Sequence, residues 1–256
     1  KITPNLSGNF GELRSNHLHS GIDFKTEKRT GIPVYSIEEG WVSRIRISTW
    51  GLGYAIYIDH PDGKTSLYAH LERLACPFDS IAKALQYKIE NFELDTTFSD
   101  KNLAVTKGQL IAYSGNSGVS SAPHLHFEIR NTITEEPQDP LIWYSDRIPD
   151  NRKPDIRGLS IYAIGNEGVL SNNLKKRNIT TVYKTDGSFA PVDTFPCAWG
   201  KIGLGIKAFD LMDNNSNIYG IQSLKLFCDD KVIFSFDISS FSFSETRFIN
   251  ALIDYE

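Results

Sequence analysis

Short apolar runs separated by glycine-bearing turns repeat along the first half of the chain. They are Ile32-Pro-Val-Tyr-Ser-Ile37, Gly40-Trp-Val-Ser-Arg-Ile-Arg-Ile47, Tyr54-Ala-Ile-Tyr-Ile-Asp-His60, Thr65-Ser-Leu-Tyr-Ala-His70, Gln109-Leu-Ile-Ala-Tyr-Ser114 and His124-Leu-His-Phe-Glu-Ile-Arg130. Runs of this length, bounded by turn residues and rich in β-branched and aromatic side chains, predict an all-β domain. Pro61-Asp62-Gly63 marks a hairpin between two of them. One segment breaks the pattern: residues 79–93 place Ile81, Leu85, Ile89 and Phe92 at helical spacing, with Asp79 or Ser80 able to cap the start. This predicts a helical insertion of about four turns, either packed on the sheet or walling one side of a cleft. Residues 146–156 are polar, carry two prolines and read as a linker. Strand-like runs then resume at 156–163, 179–183, 202–209, 218–227 and 231–237, as expected of an immunoglobulin-like β-sandwich. The fold class is therefore mainly β, with domains at 1–150 and 151–256 and a strand-like tail at 252–256.

Composition narrows the partners. The chain has 256 residues and a formal net charge of −4, and it lacks a basic run that would track phosphates, so no nucleic acid is expected. No apolar run reaches the ~18 residues of a spanning helix, so no transmembrane segment is expected. The chain opens Lys-Ile-Thr-Pro-Asn, without Met, as a chain trimmed of a signal sequence would. Cys76, Cys197 and Cys228 are too widely spaced for a disulfide framework or a zinc ribbon. They read as incidental, buried thiols, with a Cys197–Cys228 pair open in an oxidising compartment.

The histidines carry the chemistry. Residues two apart on a strand share a face, so His124, His126 and Glu128 project together while Leu125, Phe127 and Ile129 face the core. His19 and Asp23 lie four apart around Gly21 and share a face whether extended or helical. Two imidazoles and a carboxylate that converge are the material of a catalytic zinc centre. No histidine follows His126, and Asp210, Asp213, Asp229 and Asp230 read as solvated turns, so the second domain offers no comparable site.

The order of these motifs resembles the lysostaphin-type zinc metallopeptidases, which include LytM-like cell-wall endopeptidases. The matching stretches are His19-Ser-Gly-Ile-Asp-Phe24, Gly31-Ile-Pro-Val34, Gly40-Trp-Val42, Gly51-Leu-Gly-Tyr54, Tyr68-Ala-His-Leu71, Val105-Thr-Lys-Gly-Gln109, Ser114-Gly-Asn-Ser-Gly118 and Ala122-Pro-His-Leu-His-Phe-Glu128. The helical insertion after Leu71 departs from the family pattern without touching a motif residue. The resemblance implies a lysostaphin-type antiparallel sheet with a duplicated hybrid motif. It implies Zn2+ held by His19, Asp23 and His126, with His70 and His124 as catalytic histidines outside the ligand set. Three protein ligands leave a fourth tetrahedral position for water, as catalytic zinc requires.

Arg14 resembles an arginine near the groove of some relatives and is expected to hold a substrate carboxylate. Asn116 and Ser117, with Ser120 and Ser121, are expected to line the groove. Glu128 is either an outer partner of a ligand or structural. His17 reads as an exposed neighbour and His60 as a strand end. Latency candidates are Asn5, Asn9, Glu12 and His17. The implied reaction is zinc-dependent hydrolysis of the peptide cross-links in peptidoglycan stem peptides, in the periplasm, the cell envelope or outside the cell. The second domain is a candidate surface for a partner protein. Two alternatives stay open: a non-catalytic module that binds peptidoglycan or regulates a hydrolase, and a general protein-degrading metallopeptidase.

Overall fold

The computed structural model describes residues 5–148, 150–192, 197–213 and 215–255. The chain forms two compact units, Lys1–Pro149 with Gln222–Ile249, and Asp150–Ile221 with Asn250–Glu256. Residues 222–249, which the strand pattern alone places in a second domain, thus lie in the first unit.

The first unit is built on an eleven-stranded sheet. Its middle is the strand His124–Asn131, antiparallel to Ile22–Lys25 on one side and to Lys64–Leu74 on the other. Tyr54–Asp59 and Gly40–Ile47 continue the sheet outward from Lys64–Leu74. Leu110–Ser114 bridges Pro33–Tyr35 and the far end of Lys64–Leu74. Val42, Ile45, Ile56, Ile58, Leu67 and Ile111 are wholly buried. The alternation places Phe127 and Ile129 in the core, and His126 and Glu128 on the opposite face are buried as well.

The helical insertion spans Phe78–Ile89. Its start is not capped by Asp79 or Ser80: Pro77 precedes it, no side chain caps it, and Asp79 pairs with Lys83 one turn on. The buried face is set by Phe78 and Ala82. Ile89 and Phe92, expected on that face, are half exposed, because Glu90 turns left-handed and ends the helix before Phe92. The chain then pairs Leu94–Thr97 with Gly40–Ile47, and Phe92 sets its ring on Tyr54.

In the second unit the described strands form one antiparallel sheet, ordered Phe189–Pro191, Lys176–Tyr183, Asp155–Leu170, Ala198–Leu211, Ile218–Tyr219. Its buried cluster is small: Ile161, Leu170 and Ile179. The expected immunoglobulin-like sandwich needs a second sheet on this one, and none forms among the described residues of the unit. The run 218–227 instead splits after Tyr219, and Ser223–Cys228 pairs with Lys231–Asp237 in the first unit. The three cysteines are free and exposed, against the expectation of burial.

Candidate metal centre

The site starts from a glycine. A Cβ on Gly21 would come within 2.2 Å of the Phe127 carbonyl oxygen, so only glycine lets this loop lie against the central strand. The register then sets Asp23 directly opposite His126. His19 Nε2 lies 3.1 Å from Asp23 Oδ1 and 3.0 Å from His126 Nδ1, and His126 Nδ1 lies 2.9 Å from Asp23 Oδ1. Among the described residues His19, Asp23 and His126 form a buried group able to hold a metal ion, its donor atoms within 4.8 Å of one another. Tetrahedral zinc with bonds near 2.0–2.1 Å sets its ligand atoms roughly 3.3 Å apart, so two imidazoles and one carboxylate at these spacings fit that ion.

Each of the three donors is held from behind. His19 Nδ1–H donates to the Asn9 carbonyl at 2.7 Å, which turns Nε2 inward. The His126 ring is reversed: Nε2–H donates to Glu128 Oε1 at 2.8 Å and leaves Nδ1 inward. Arg14 donates to Asp23 Oδ2 at 2.9 Å, which leaves Oδ1 toward the imidazoles. Such outer partners fix ring orientation and ligand basicity. Arg14, expected to take a substrate carboxylate, is engaged by this protein's own carboxylates, Asp23 and Glu12.

Charge is balanced inside the cluster. Burial disfavours the Asp23 carboxylate, but hydrogen bonds from His126 and His19 hold its pKa well below the usual range. Burial likewise opposes charge on Glu128, yet His126 and the Arg130 guanidinium bring its pKa to about 2. Glu128 also accepts from Ser20 Oγ at 2.7 Å and from Arg130 Nε at 2.6 Å, so each of its oxygens is used.

His70 and His124 stand beside this group. Between Tyr54 and Ile56 the facing strand advances by three residues, from Leu71 to Tyr68, so Lys64–Leu74 carries an extra residue there. Within that bulge His70 takes a left-handed φ of 55°, which re-aims its ring. Its Nδ1–H donates to the Ser117 carbonyl at 2.8 Å. Burial, with repulsion from His126, lowers its pKa to about 4, so the ring is neutral near pH 7. His124 Nδ1 lies 2.9 Å from the Ala122 carbonyl, which it can only donate to, and its Nε2 lies 3.5 Å from Asp23 Oδ1. The His70 and His124 ring centroids are 4.7 Å apart.

The remaining predicted residues divide. The Ser117 hydroxyl, expected in the groove, donates to the Leu71 carbonyl at 2.7 Å and accepts from Tyr54 N–H at 2.9 Å. It closes the loop and leaves the Ser117 carbonyl to orient His70. Asn116 is exposed and accepts from Ser120, whose hydroxyl also lies 3.2 Å from His124 Nδ1. His17 is exposed. His60 is buried and held by the Glu39 carbonyl and Ser66, outside the group. A shallow cleft of about 430 Å³ opens beside the loop that carries His19, lined in part by Leu18, Ser20, Phe243 and Thr246; none of the five clustered residues lines it. Ser20 and Arg130, which complete the support of Glu128, flank motif residues in the sequence, and that adjacency was the one signal available for them. Asn9 acts through its carbonyl, which no residue type advertises.

Residues 17–87 and 81–140 match the model described as Peptidase family M23. An uncharacterized metalloprotease of Haemophilus influenzae is 31% identical over 110 residues, 43% of this chain and 18% of that protein. The DD-carboxypeptidase/endopeptidase Mpg of Neisseria meningitidis is 30% identical over 129 residues, 50% of this chain and 23% of that protein. The peptidoglycan DD-endopeptidase ShyB of Vibrio cholerae is 30% identical over 111 residues, 43% and 20%. The chain thus spans about a fifth of the length of these curated relatives.

Proposed function

Residues 17–140 belong to peptidase family M23, and on that premise we propose that this protein is a zinc-dependent endopeptidase that hydrolyses peptide cross-links of bacterial peptidoglycan. The observation that carries the reading is the convergence of His19, Asp23 and His126, with two further imidazoles beside them. The mainly β first unit is read as the lysostaphin-type fold with its duplicated hybrid motif. His19, Asp23 and His126 hold Zn2+, which when bound supplies a Lewis acid that polarises a peptide carbonyl and acidifies water.

The chain's own residues do the rest. His19 Nε2, Asp23 Oδ1 and His126 Nδ1 point inward because Asn9, Arg14 and Glu128 occupy their other polar atoms. His70 and His124 each have Nδ1 tied to a carbonyl, so Nε2 is the ring nitrogen each leaves for the reaction. Together they accept the proton of the attacking water and then return it to the departing amine as general acid. The Vibrio relative, a peptidoglycan DD-endopeptidase, supports peptidoglycan stem peptides as the substrate, and with them a periplasmic, envelope or extracellular site of action. No helix among the described residues is long and apolar enough to cross a membrane.

The test is a metal analysis of purified protein paired with mass spectrometry of defined muropeptides after digestion. One zinc per chain and a cleaved cross-link are expected. Zinc with intact muropeptides and degraded casein would instead make it a general peptidase. Protein that binds peptidoglycan without zinc or cleavage would make it a non-catalytic module.

A further inference from the structure

Two of the three groups that hold the donors from outside, the Asn9 carbonyl and Arg14, lie in the loop and hairpin that precede His19. That hairpin is not part of the main sheet: Leu13–Arg14 pairs with His17–Leu18 as a separate two-stranded piece. It needs support from elsewhere, and residues 238–246, far along the chain but in the same unit, provide it. Ile238 is buried against Gly11, where a Cβ would come within 2.9 Å of Ile238 Cγ2. Phe241 sets its ring 5.3 Å from that of the buried Phe10. The Leu18 N–H donates to Thr246 Oγ1 at 2.7 Å. Leu18 is buried and directly precedes His19, so this bond fixes the backbone at the entry to His19. On the Glu128 side, the Arg130 guanidinium lies 4.8 Å from the Phe243 ring centroid.

We propose that Thr246 is a positioning residue for the metal centre. Its hydroxyl fixes the Leu18 amide and hence the approach of His19 Nε2 to the ion, with Ile238, Phe241 and Phe243 bracing the same frame. This rests on the reading of His19, Asp23 and His126 as a zinc site. It makes residues 238–246 a working part of the site, although they lie outside residues 17–140 that carry the family match.

The test is zinc affinity of the full-length chain, measured by competition with a chromogenic chelator. Wild type, Thr246→Val, Thr246→Ser and Thr246→Ala are compared, each with its thermal midpoint. Thr246→Val keeps shape and loses the acceptor, and zinc affinity is expected to fall about tenfold, the low end for loss of an outer partner. Thr246→Ser keeps the acceptor and is expected to stay within about twofold of wild type on the same scale. Thr246→Ala relieves any misfit of the added methyl and must show the same loss as valine. With muropeptide as substrate, kcat falls in the valine variant, and Thr246→Ser restores it together with zinc affinity. A wild type that binds zinc with a valine or alanine variant that binds it equally well overturns this inference alone. A wild type that binds no zinc overturns the zinc reading and this inference with it.

Discussion

In the first unit the strand Lys64–Leu74 runs from Thr65 to Leu71 without a side chain in solvent. In the second unit Ala198–Leu211 has no buried residue, and Trp199 and Leu204 are 76% and 53% exposed. Lys64–Leu74 pairs antiparallel on two sides, whereas Ala198–Leu211 has a second partner only at Asp210 and Leu211. The strands differ also in the cover on their faces. Where both faces are covered, a one-residue slip would expose core and bury solvent-facing groups, so the register is pinned. Pinned register is what sets Asp23 opposite His126. Burial also forces every polar group on those strands to find a partner, and Asn9, Arg14, Glu128 and Ser117 are those partners. The second unit has neither demand, and it carries no comparable cluster among its described residues.

The comparison breaks most sharply at the ligands. His126→Ala is expected to lose zinc retention and to drop peptidase activity to background. His124→Ala is expected to keep zinc and lose turnover by about 10²–10⁴-fold, the range for removing a general acid or base. Metal content and steady-state kinetics on the same preparations separate the two. Loss of metal from His124→Ala would make that residue a ligand, and full activity in His126→Ala would remove the site altogether.

A smaller effect reads the covers directly. Leu67 is wholly buried with Ala55, Tyr57 and Ala69, so Leu67→Ala is expected to cost about 2–5 kcal/mol. Leu204, half exposed in the second unit, should change stability by no more than ~0.5 kcal/mol when made alanine. Denaturant midpoints of the two variants decide the matter. A large loss at Leu204 would mean that the sheet of the second unit is covered in solution.

How much of this was legible in the sequence follows from the same contrast. Period-two alternation placed His124, His126 and Glu128 on one face, because alternation is a property of a single strand. It also marked most strands of the second unit, but not their covers, and so it promised a sandwich where the described residues form one sheet. The joining of His126 to His19 and Asp23, some hundred residues away, was legible only through the family resemblance. The family resemblance points Arg14 at the groove, and its place in the loop before His124 points Ser117 there. In the fold they meet Asp23, and the Leu71 carbonyl and Tyr54 amide. Contacts to backbone atoms leave no trace in residue type, and neither does the bond from Leu18 to Thr246, 228 residues apart. The insertion was found by its spacing. Only the far end of its expected buried face differs: Ile89 is the last helical residue and Phe92 lies beyond the Glu90 cap, and both are half exposed.

The finest test of the cover concerns His70, whose pKa of about 4 is set first by burial and then by the charge of neighbouring His126. Unfolded, an imidazole titrates near 6.5. Between roughly pH 4 and 6.5 the folded protein therefore binds fewer protons than the unfolded chain, and stability rises with pH across that window. The contribution is fully present above about pH 6.5 and is progressively lost as pH falls toward about 4. At 1.36 kcal/mol per pH unit the whole window is worth on the order of 3 kcal/mol, and less where solvent reaches the ring. His70→Asn removes the titrating ring while tolerating the left-handed backbone that asparagine accepts. The variant should lose less stability than wild type between about pH 7 and 4.5, seen as converging denaturant midpoints. Midpoints that keep a constant separation over that range would mean that His70 is not shielded, and that the cover over the central strands stops short of His70 and His124.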